Sequence, residues 1–395
     1  MNTVFVTHPD HPTGVDHWRA MLPARNLART GHNVRVVRLG ADLPTFAGEP
    51  PDAVVFNQRF GRIGGAKHFR ETVAEPLKML YVADVCDDPE LHKETVLTRR
   101  LKVTGKEAGK KVRVGHYVLD HISNVHLVTV NTPAMASVVR KYNPHVEVMP
   151  DLLELDLWRW PVPKERPKGL TIGVAGGDTH SQDWKVLANV WAKLAEKYDW
   201  LSFVCVGFTP GYLKGCLRHD RFVEVPWSPI DRYPQSYRWI DIGCAPVTNS
   251  RFNRTKSPIK YLEYTAAGAF TVASHNLYDS VIESGKNGLL ATTETEWIDQ
   301  LTKAIEHPRW RNDMLDCAKK DVKENWCHSP ITASERISVY RDHYRRVYAK
   351  LPDLARGRNT VRGAITAILQ ESGERQRQSE REPGSGSGRA VLLTP

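Results

Sequence analysis

Short apolar segments alternate with amphipathic helical patterns along the first 150 residues. Each apolar run is rich in β-branched residues and is bounded by glycine, proline or polar residues, which is typical of buried strands. Such alternation predicts a parallel sheet with helices on both faces. Strands are predicted at 3–7, 34–39, 52–57, 78–84, 126–131 and 146–149, and helices at 16–29 and 133–142.

The same alternation returns after residue 168. The intervening segment, 151–168, is rich in proline and charge and is predicted to be a linker. We therefore predict an α/β fold with two doubly wound, Rossmann-like domains, at 1–150 and 169–330. A last helix at 331–351 and a largely disordered tail at 352–395 complete the chain. Strands are predicted at 169–175, 201–207, 221–225, 241–247 and 270–274, and helices at 178–198, 233–239, 294–306 and 308–326.

One helix, predicted at 258–267, has the clearest boundaries. Ser257 is a favourable N-cap residue, Pro258 fits the first helical position, and Gly268 fits the left-handed residue after the last turn. At 3.6 residues per turn, Lys260 and Glu263 share one face of the helix and the opposite face is apolar. We expect the apolar face to pack and the polar face to bind a ligand.

The start of this helix has the features of a diphosphate site. A helix N-terminus offers unpaired N–H groups and a partial positive charge, and Arg254 and Lys256 precede it. One turn further on, the carboxylate of Glu263 could accept hydrogen bonds from the vicinal hydroxyls of a ribose. From the residues alone, a solvated face on which Glu263 merely pairs with Lys260 is the alternative. The predicted donor-binding residues on this segment are Arg254, Lys256, Ser257, Lys260 and Glu263.

The run KSPIKYLEYTAAGAFTVAS at 256–274 resembles the donor-binding segment of GT-B glycosyltransferases of the large retaining group called family four. In that family a glutamate on this helix holds the ribose of a nucleotide sugar, and Glu263 matches it. A second family glutamate, which touches the sugar ring, is replaced here by Thr255. Some members instead show a Lys-Ser-x-x-Lys run before the ribose glutamate, and this chain is similar to those members, some of which are virus-encoded.

The resemblance implies a GT-B fold, whose two domains face a central cleft, with the acceptor on the side of the first domain. It implies transfer of a sugar from a nucleoside-diphosphate sugar to an acceptor hydroxyl, with retention of the anomeric configuration. The leaving diphosphate is stabilised by N–H groups and lysines, Lys256 among them, and takes the acceptor proton. No metal, and no cofactor other than the nucleotide-sugar donor, is expected. The helix at 331–351 would cross back onto the first domain.

Glycine-bearing turns follow the first strand of each domain, where a parallel sheet places its ligands. Gly176 and Gly177 open the second domain's turn, and Gly14 lies in the first domain's turn. In the resembled enzymes the second turn carries a phosphate-binding arginine and lysine, which are absent here. We therefore infer that His180, together with Arg254 and Lys256, carries the phosphate charge.

Acidic side chains end the strand at 78–84. Asp84 and Asp87 are candidates for orienting the acceptor hydroxyl or acting as a base, although capping of the next helix is the alternative. The first loop also gathers polar groups that could suggest a metal, but their spacing fits no standard site. These groups are His8, Asp10, His11, Asp16 and His17. Near 225–234, Trp227 or Tyr233 could stack on a nucleobase or could simply pack in the core.

The net charge of +10 is most concentrated at 99–113. This run is either a solvated loop or hairpin, or a surface for a polyanion such as nucleic acid or an anionic membrane. Some virus-encoded enzymes of the resembled architecture modify hydroxymethylated bases in DNA, and the basic run permits such an acceptor here, as it equally permits a glycan or a protein. The residues of the predicted polyanion surface are Arg99, Arg100, Lys102, Lys106, Lys110, Lys111 and Arg113.

The composition is that of a globular protein, with 41% hydrophobic and 25% charged residues among 395. The N-terminus lacks the pattern of a signal peptide, and no apolar run approaches the roughly 18 residues of a membrane span. Six cysteines lack paired or metal-ligand spacing, so we expect reduced thiols in a cytoplasmic protein, in the host cytoplasm if the chain is virus-encoded. The sequence fixes neither donor base nor oligomeric state. Two other functions stay open: a nucleotide-sugar epimerase of the same fold and a catalytically silent binding protein.

Overall fold

The computed structural model describes residues 1–8, 13–57, 65–91, 94–96 and 111–349, and for 94–96 and 111–114 it describes the backbone alone. These residues form two compact units. Among the described residues, the first unit comprises those of 1–150 together with 328–349, and the second unit is Asp151–Cys327. Each unit has its own parallel sheet of six strands.

The first unit contains a sheet in the order β2-β1-β3-β4-β7-β8 and a separate antiparallel pair, β5 and β6. Its strands are β1 (Thr3–Thr7), β2 (Val34–Arg38), β3 (Ala53–Asn57), β4 (Leu80–Val85), β5 (Glu94–Val96), β6 (Lys111–Arg113), β7 (Leu127–Val130) and β8 (Val146–Val148). Its first five helices are α1 (Gly14–Asp16), α2 (Leu22–Arg29), α3 (Gly65–Phe69), α4 (Val114–Ser123) and α5 (Pro133–Val139). A π-helical turn, His17–Met21, joins α1 to α2, and another, Arg70–Ala74, extends α3.

The second unit contains a sheet in the order β11-β10-β9-β12-β13-β14. Its strands are β9 (Thr171–Gly176), β10 (Ser202–Gly207), β11 (Phe222–Val225), β12 (Ile242–Ala245), β13 (Phe270–Ser274) and β14 (Leu289–Ala291). Its helices are α6 (Val186–Lys197), α7 (Gly211–Gly215), α8 (Tyr233–Ser236), α9 (Arg251–Arg254), α10 (Ile259–Ala267), α11 (His275–Tyr278), α12 (Glu294–Glu306) and α13 (Pro308–Asn325). The long helix α14 (Pro330–Tyr348) returns to the first unit.

The central strands of each sheet, such as β1, β4, β9 and β13, are buried along their whole length, which explains why they read as continuous apolar runs. The edge strands β2 and β11 are only partly buried. In β3, Ala53 and Val55 join one apolar cluster with residues of α2 and α14. The alternate residues Val54 and Phe56 join a second cluster on the opposite face. This arrangement follows from the two-residue period of a strand, and it confirms the predicted fold of two doubly wound α/β domains.

Some predicted elements differ from the observed ones. The predicted helix at 178–198 begins only at Val186, because two 3-10 turns, Asp178–His180 and Asp183–Lys185, precede α6. The helix α4 was not predicted, since glycine and β-branched residues lower its intrinsic helix propensity. Its Val118 and Ile122 are fully buried in the apolar core, and this packing stabilises the helix.

No disulfide joins the cysteines within the described ranges. No helix within those ranges is both long enough and apolar enough to cross a membrane.

Candidate functional site

The carboxyl ends of β9 and β12 form a crevice in the sheet of the second unit. The two strands pair only at Ile172 with Ile242 and at Gly173 with Gly243, and the strand order reverses between them. Open α/β sheets bind ligands at such a switch point. The crevice is therefore the place to look for a donor site.

The helix α10 is fixed at this crevice by Tyr264. The Tyr264 hydroxyl accepts a hydrogen bond from the Ala175 N–H at 3.0 Å and donates to the Cys244 carbonyl at 3.1 Å, so it joins the two separated strands. A Cβ on Gly243 would lie 2.4 Å from the Tyr264 ring, so only glycine lets the ring approach β12 this closely.

Glu263 on α10 is buried, with 3% of its surface exposed. Its Oε2 accepts hydrogen bonds from the Tyr237 hydroxyl at 2.5 Å and the Lys260 Nζ at 2.7 Å. Within the described part of the chain, nothing donates to Oε1. The Lys260–Glu263 pair of the alternative interpretation thus exists, but it does not lie on a solvated face, because most of α10 is buried. The polar face of α10 is thus largely buried like the apolar one, and its binding of a ligand stays a prediction.

The start of α10 lies one residue later than predicted. Pro258 occupies the N-cap position, and no side chain in the described structure caps the helix, so the prediction that Ser257 is the N-cap was wrong. Pro258 has a ψ of 37° there, which is not the extended backbone of a capping serine. At the other end Gly268 has a φ of 80°, as predicted for the left-handed residue. The Tyr261 N–H donates to the Pro258 carbonyl at 3.1 Å, so the N–H groups of Ile259 and Lys260 at the start of α10 are the ones available to a ligand.

Two cations precede α10. The Lys256 Nζ lies 4.7 Å from the centre of the Phe252 ring, and no carboxylate of the described residues lies within ion-pair distance of it. Arg254 is exposed and donates to the Asn249 side chain at 2.6 Å. Lys256 therefore keeps an uncompensated positive charge close to the helix start.

The turn after β9 contains Gly176, Gly177 and His180. Gly176 has a φ of 157°, and a Cβ there would lie 3.0 Å from the His180 ring. The His180 ring is nearly parallel to that of Trp184, at an interplanar angle of 8°. Burial lowers the pKa of His180, the bond to Asp183 acts to raise it, and Lys256 and Lys260 lower it further. The net effect is a His180 pKa below its ordinary value, which favours the neutral ring.

Asp183 connects this turn to the loop after β12. It lies 3.1 Å from the His180 Nδ1, accepts from both the N–H and the hydroxyl of Thr248 at 2.8 Å, and accepts from the Asn253 Nδ2 at 2.9 Å. Burial acts to raise the pKa of the Asp183 carboxyl, but the bonds from His180 and Thr248 outweigh it and the pKa lies below its ordinary value. Sequence reasoning missed Asp183 and Asn253 as site residues, since the bonds that join Asp183 to Thr248 and Asn253 span 65 and 70 residues of the chain.

The two aromatic candidates for a base contact differ in exposure. Trp227 is 64% exposed, and its ring lies 3.7 Å from where a Cβ would stand on Gly177. Tyr233 instead packs against the rings of Trp158 and Tyr237, with centroids 5.7 and 6.0 Å apart. Trp227 is thus the aromatic side chain open to solvent beside the glycine turn. The Thr255 hydroxyl, at the position of the family's second glutamate, donates to the Phe252 carbonyl at 2.9 Å.

Comparisons with known proteins agree with this geometry. Residues 169–307 match the family model of glycosyl transferases group 1. The chain is a glycosyltransferase. No curated protein matched in the corresponding sequence search.

Solved structures with the same fold cover nearly the whole chain. Sucrose-phosphate synthase from Thermosynechococcus elongatus has a TM-score of 0.60 at 13% identity and covers 88% of this chain and 100% of its own. The catalytic domain of starch synthase IV from Arabidopsis thaliana has a TM-score of 0.62 at 12% identity, covering 87% and 99%. Anabaena HepE has a TM-score of 0.59 at 12% identity, covering 88% and 100%. Identities this low show the fold alone, and they confirm the predicted GT-B fold.

In the first unit of this glycosyltransferase, Asp84 is a buried structural carboxylate. Arg19 binds it through two nitrogens, at 2.7 and 2.9 Å, and Thr129 donates to it as well. Asp84 is 1% exposed and Arg19 is 2% exposed. A general base must reach the proton that it removes, and this carboxylate faces only its partners. The geometry corrects the expectation that Asp84 acts on the substrate.

Asp87, in the loop after β4, is partly exposed, and no hydrogen bond or ion pair joins it to any described residue. It stays a predicted catalytic residue. Gly14 is the first residue of α1, and a Cβ there would have open space around it, so the backbone is accessible to a ligand. The Asp16 carboxylate accepts hydrogen bonds from Thr13 and Asn57, and these bonds fix the loop.

Most of the remaining predicted groups lie outside the described residues, whereas His8 and the buried His17 of the first loop lie within them. Asp10 and His11 of the first loop lie outside the described residues, and no group of three metal-binding side chains occurs among those that are described. The predicted polyanion surface lies outside them as well, except for the backbone of two members in β6. These surface residues are Arg99, Arg100, Lys102, Lys106 and Lys110, with Lys111 and Arg113 in β6.

Proposed function

We propose that the second unit binds a nucleoside-diphosphate sugar at the carboxyl edge of its sheet. The observation that carries the proposal is the state of Glu263, a buried carboxylate with one oxygen bound internally and the other without a donor among the described residues. It lies one turn inside a helix whose start is uncapped and is preceded by Lys256. A carboxylate for ribose and a cation beside free N–H groups for diphosphate are the contacts that such a donor needs.

The other predicted donor-binding residues would contact the diphosphate and the base. The uncapped start of α10, Lys256 and His180 would hold the diphosphate, with Gly176 and Gly177 allowing close approach of the backbone. The exposed indole of Trp227 would stack on the base. Anabaena HepE is described in complex with UDP-glucose, and starch synthase IV with ADP, which supports a nucleotide donor in this fold.

For the reaction we propose transfer with retention. The bond between the anomeric carbon and the diphosphate oxygen breaks, a bond to the acceptor oxygen forms on the same face, and the acceptor proton passes to the leaving diphosphate. Lys256 and the N–H groups of α10 stabilise the charge that develops on the diphosphate. Asp87 is the described carboxylate proposed to orient the acceptor hydroxyl.

For the acceptor we propose a hydroxymethylated base in DNA as the first candidate to test. Seven basic residues between Arg99 and Arg113 support a polyanionic acceptor, because lysine and arginine contacts to phosphate dominate affinity for nucleic acid. A glycan or protein acceptor, and a nucleotide-sugar epimerase, are the alternatives. Analysis of the products without an acceptor separates the epimerase, which would convert the donor sugar.

Calorimetry with UDP, ADP, GDP and thymidine diphosphate tests the donor site. We expect one nucleotide to bind the wild type and Lys256→Glu to abolish that binding, because a charged contact worth about 1.5–3 kcal/mol becomes repulsive. Lys320→Glu makes the same charge change at an exposed lysine on α13 that is not among the predicted donor-binding residues, and it should bind as wild type. Unchanged affinity in Lys256→Glu would show that the diphosphate lies elsewhere.

A further inference from the structure

Tyr237, Lys260 and Glu263 form a closed hydrogen-bond network. The Lys260 Nζ lies 2.7 Å from the Tyr237 oxygen and 2.7 Å from the Glu263 Oε2, and the Tyr237 hydroxyl lies 2.5 Å from that same Oε2. An ammonium group only donates and a carboxylate only accepts, so the single tyrosine proton must point to Glu263. All the internal bonds to Glu263 therefore end on one oxygen, and each bond has a fixed direction.

Tyr237 is held rigidly. It is 3% exposed and lies in the 3-10 turn Tyr237–Trp239, outside the helix that carries Glu263. Its ring packs against those of Trp158, Tyr233 and Tyr264, with centroids 5.4, 6.0 and 5.6 Å away. Burial and the neighbouring Glu263 raise the pKa of Tyr237 well above its ordinary value, so the hydroxyl keeps its proton at working pH. Its position does not depend on the flexible side chain of Lys260.

We propose that Tyr237 is a positioning residue that orients the Glu263 carboxylate, so that Oε1 presents both of its lone pairs to the two vicinal hydroxyls of the donor ribose. The terminal torsion of a glutamate is broad, and without a fixed partner the carboxylate can turn. With Oε2 held by Tyr237, Oε1 is the oxygen that faces the donor. The site then selects ribose over 2′-deoxyribose, because the deoxy sugar leaves one lone pair unused. This inference rests on the proposed function.

The test is the ratio of affinities for ribose and 2′-deoxyribose nucleotides, measured by calorimetry on the full chain. The probes are UDP, ADP and GDP, each with its 2′-deoxy form. One hydrogen bond to a charged group corresponds to a preference of about tenfold to a hundredfold in the wild type. Tyr237→Phe keeps the ring packing and removes the hydroxyl, and we expect it to reduce this preference at least threefold, mostly through weaker ribose binding.

The matched control is Tyr261→Phe. Tyr261 is a fully buried tyrosine on α10, and its hydroxyl also bonds a carboxylate, that of Asp321 at 3.2 Å. It should keep the full ribose preference. An equal loss of ribose and deoxyribose affinity in Tyr237→Phe, with the preference intact, would mean that the hydroxyl only stabilises the fold and would overturn the proposal.

Two further variants separate the inference from the proposed function. Glu263→Gln should remove the ribose preference, and if it does not, the proposed ribose contact itself is wrong. If Glu263→Gln removes the preference while Tyr237→Phe retains it, the ribose contact stands and the positioning role fails. Lys260→Met leaves the bond from Tyr237 to Glu263 and should keep the preference even if overall affinity falls. Loss of the preference in Lys260→Met would assign the positioning to Lys260 and overturn the inference without relying on the folding of Tyr237→Phe.

Discussion

Replacing Asp84 by asparagine distinguishes a structural carboxylate from a catalytic one. Arg19 reaches Asp84 with two charge-assisted hydrogen bonds and also donates to the Met149 carbonyl at 2.7 Å, and both side chains are almost completely buried. Asp84→Asn removes the carboxylate charge that two nitrogens of the buried Arg19 bind. Removing one partner of a buried ion pair costs about 3–5 kcal/mol.

The expected effect on thermal unfolding follows from this free energy. For a unit of this size each kcal/mol lowers the midpoint by about 2–4 °C, so Asp84→Asn should unfold roughly 6–20 °C below the wild type. Calorimetric scans of the full chain measure this midpoint. Release of nucleoside diphosphate from the donor, assayed well below the lowered midpoint, should be retained because Asp84 does not reach the substrate.

Asp87→Asn is the matched control. Asp87 is the neighbouring carboxylate, partly exposed and without a partner among the described residues, so its loss should move the midpoint by no more than about 2 °C. The double variant Arg19→Met/Asp84→Leu removes both charges and should recover part of the lost stability. If Asp84→Asn unfolds at the wild-type temperature and yet releases no nucleotide, the structural assignment is wrong and the catalytic one stands.

Two further predictions concern pH and salt. The His126 Nδ1 accepts a hydrogen bond from the Tyr81 N–H at 3.0 Å, which requires the neutral ring. Burial and the nearby Arg70 lower the pKa of His126 to about 4, although Glu75 acts to raise it. The pKa of His126 in the folded state thus lies below its unfolded value of about 6.5, so between these two pH values the unfolded state binds more protons. His126 therefore contributes up to roughly 3 kcal/mol to the free energy of unfolding above pH 6.5, and this contribution is lost as the pH falls toward 4. Unfolding midpoints between pH 8 and 4 should fall less steeply in His126→Gln, and equal slopes would contradict the assignment. If DNA is the acceptor, the affinity measured by gel retardation should fall steeply with salt concentration. Each phosphate contacted should add about 0.9 to the downward slope of log affinity against log salt concentration. Replacing Lys102, Lys106 and Lys110 by glutamine should make that slope shallower, and a wild-type slope near zero would exclude DNA.

The architecture could be predicted because it depends on local pattern. Strands buried on both faces must be apolar throughout, and helices between parallel strands must be amphipathic, so the alternation is visible in the chain itself. The predicted strands at 3–7 and 270–274 coincide with β1 and β13. The left-handed conformation of Gly268 was equally predictable, since a left-handed backbone after a helix favours glycine.

The chemistry of the site was predictable only in part. Glu263, on α10, and Lys256, just before that helix, could be singled out because they are close in sequence and match a known pattern. The structure alone showed that Glu263 is buried and that Tyr237, 26 residues away in sequence, holds one of its oxygens. No periodicity encodes such a contact, because it arises from the packing of separate elements.

The same distinction explains Asp84. From the sequence it is an acidic residue at the end of a strand, a position shared by catalytic and structural carboxylates. Its partner Arg19 is 65 residues away, on the helical segment that follows β1. The sequence determined which residue types stand at the carboxyl ends of the strands. Only the tertiary structure decided that the Asp84 carboxylate is paired with Arg19 inside the protein, whereas Glu263 keeps one oxygen without a donor among the described residues. The reason is that burial and charge pairing depend on the neighbours that folding brings together.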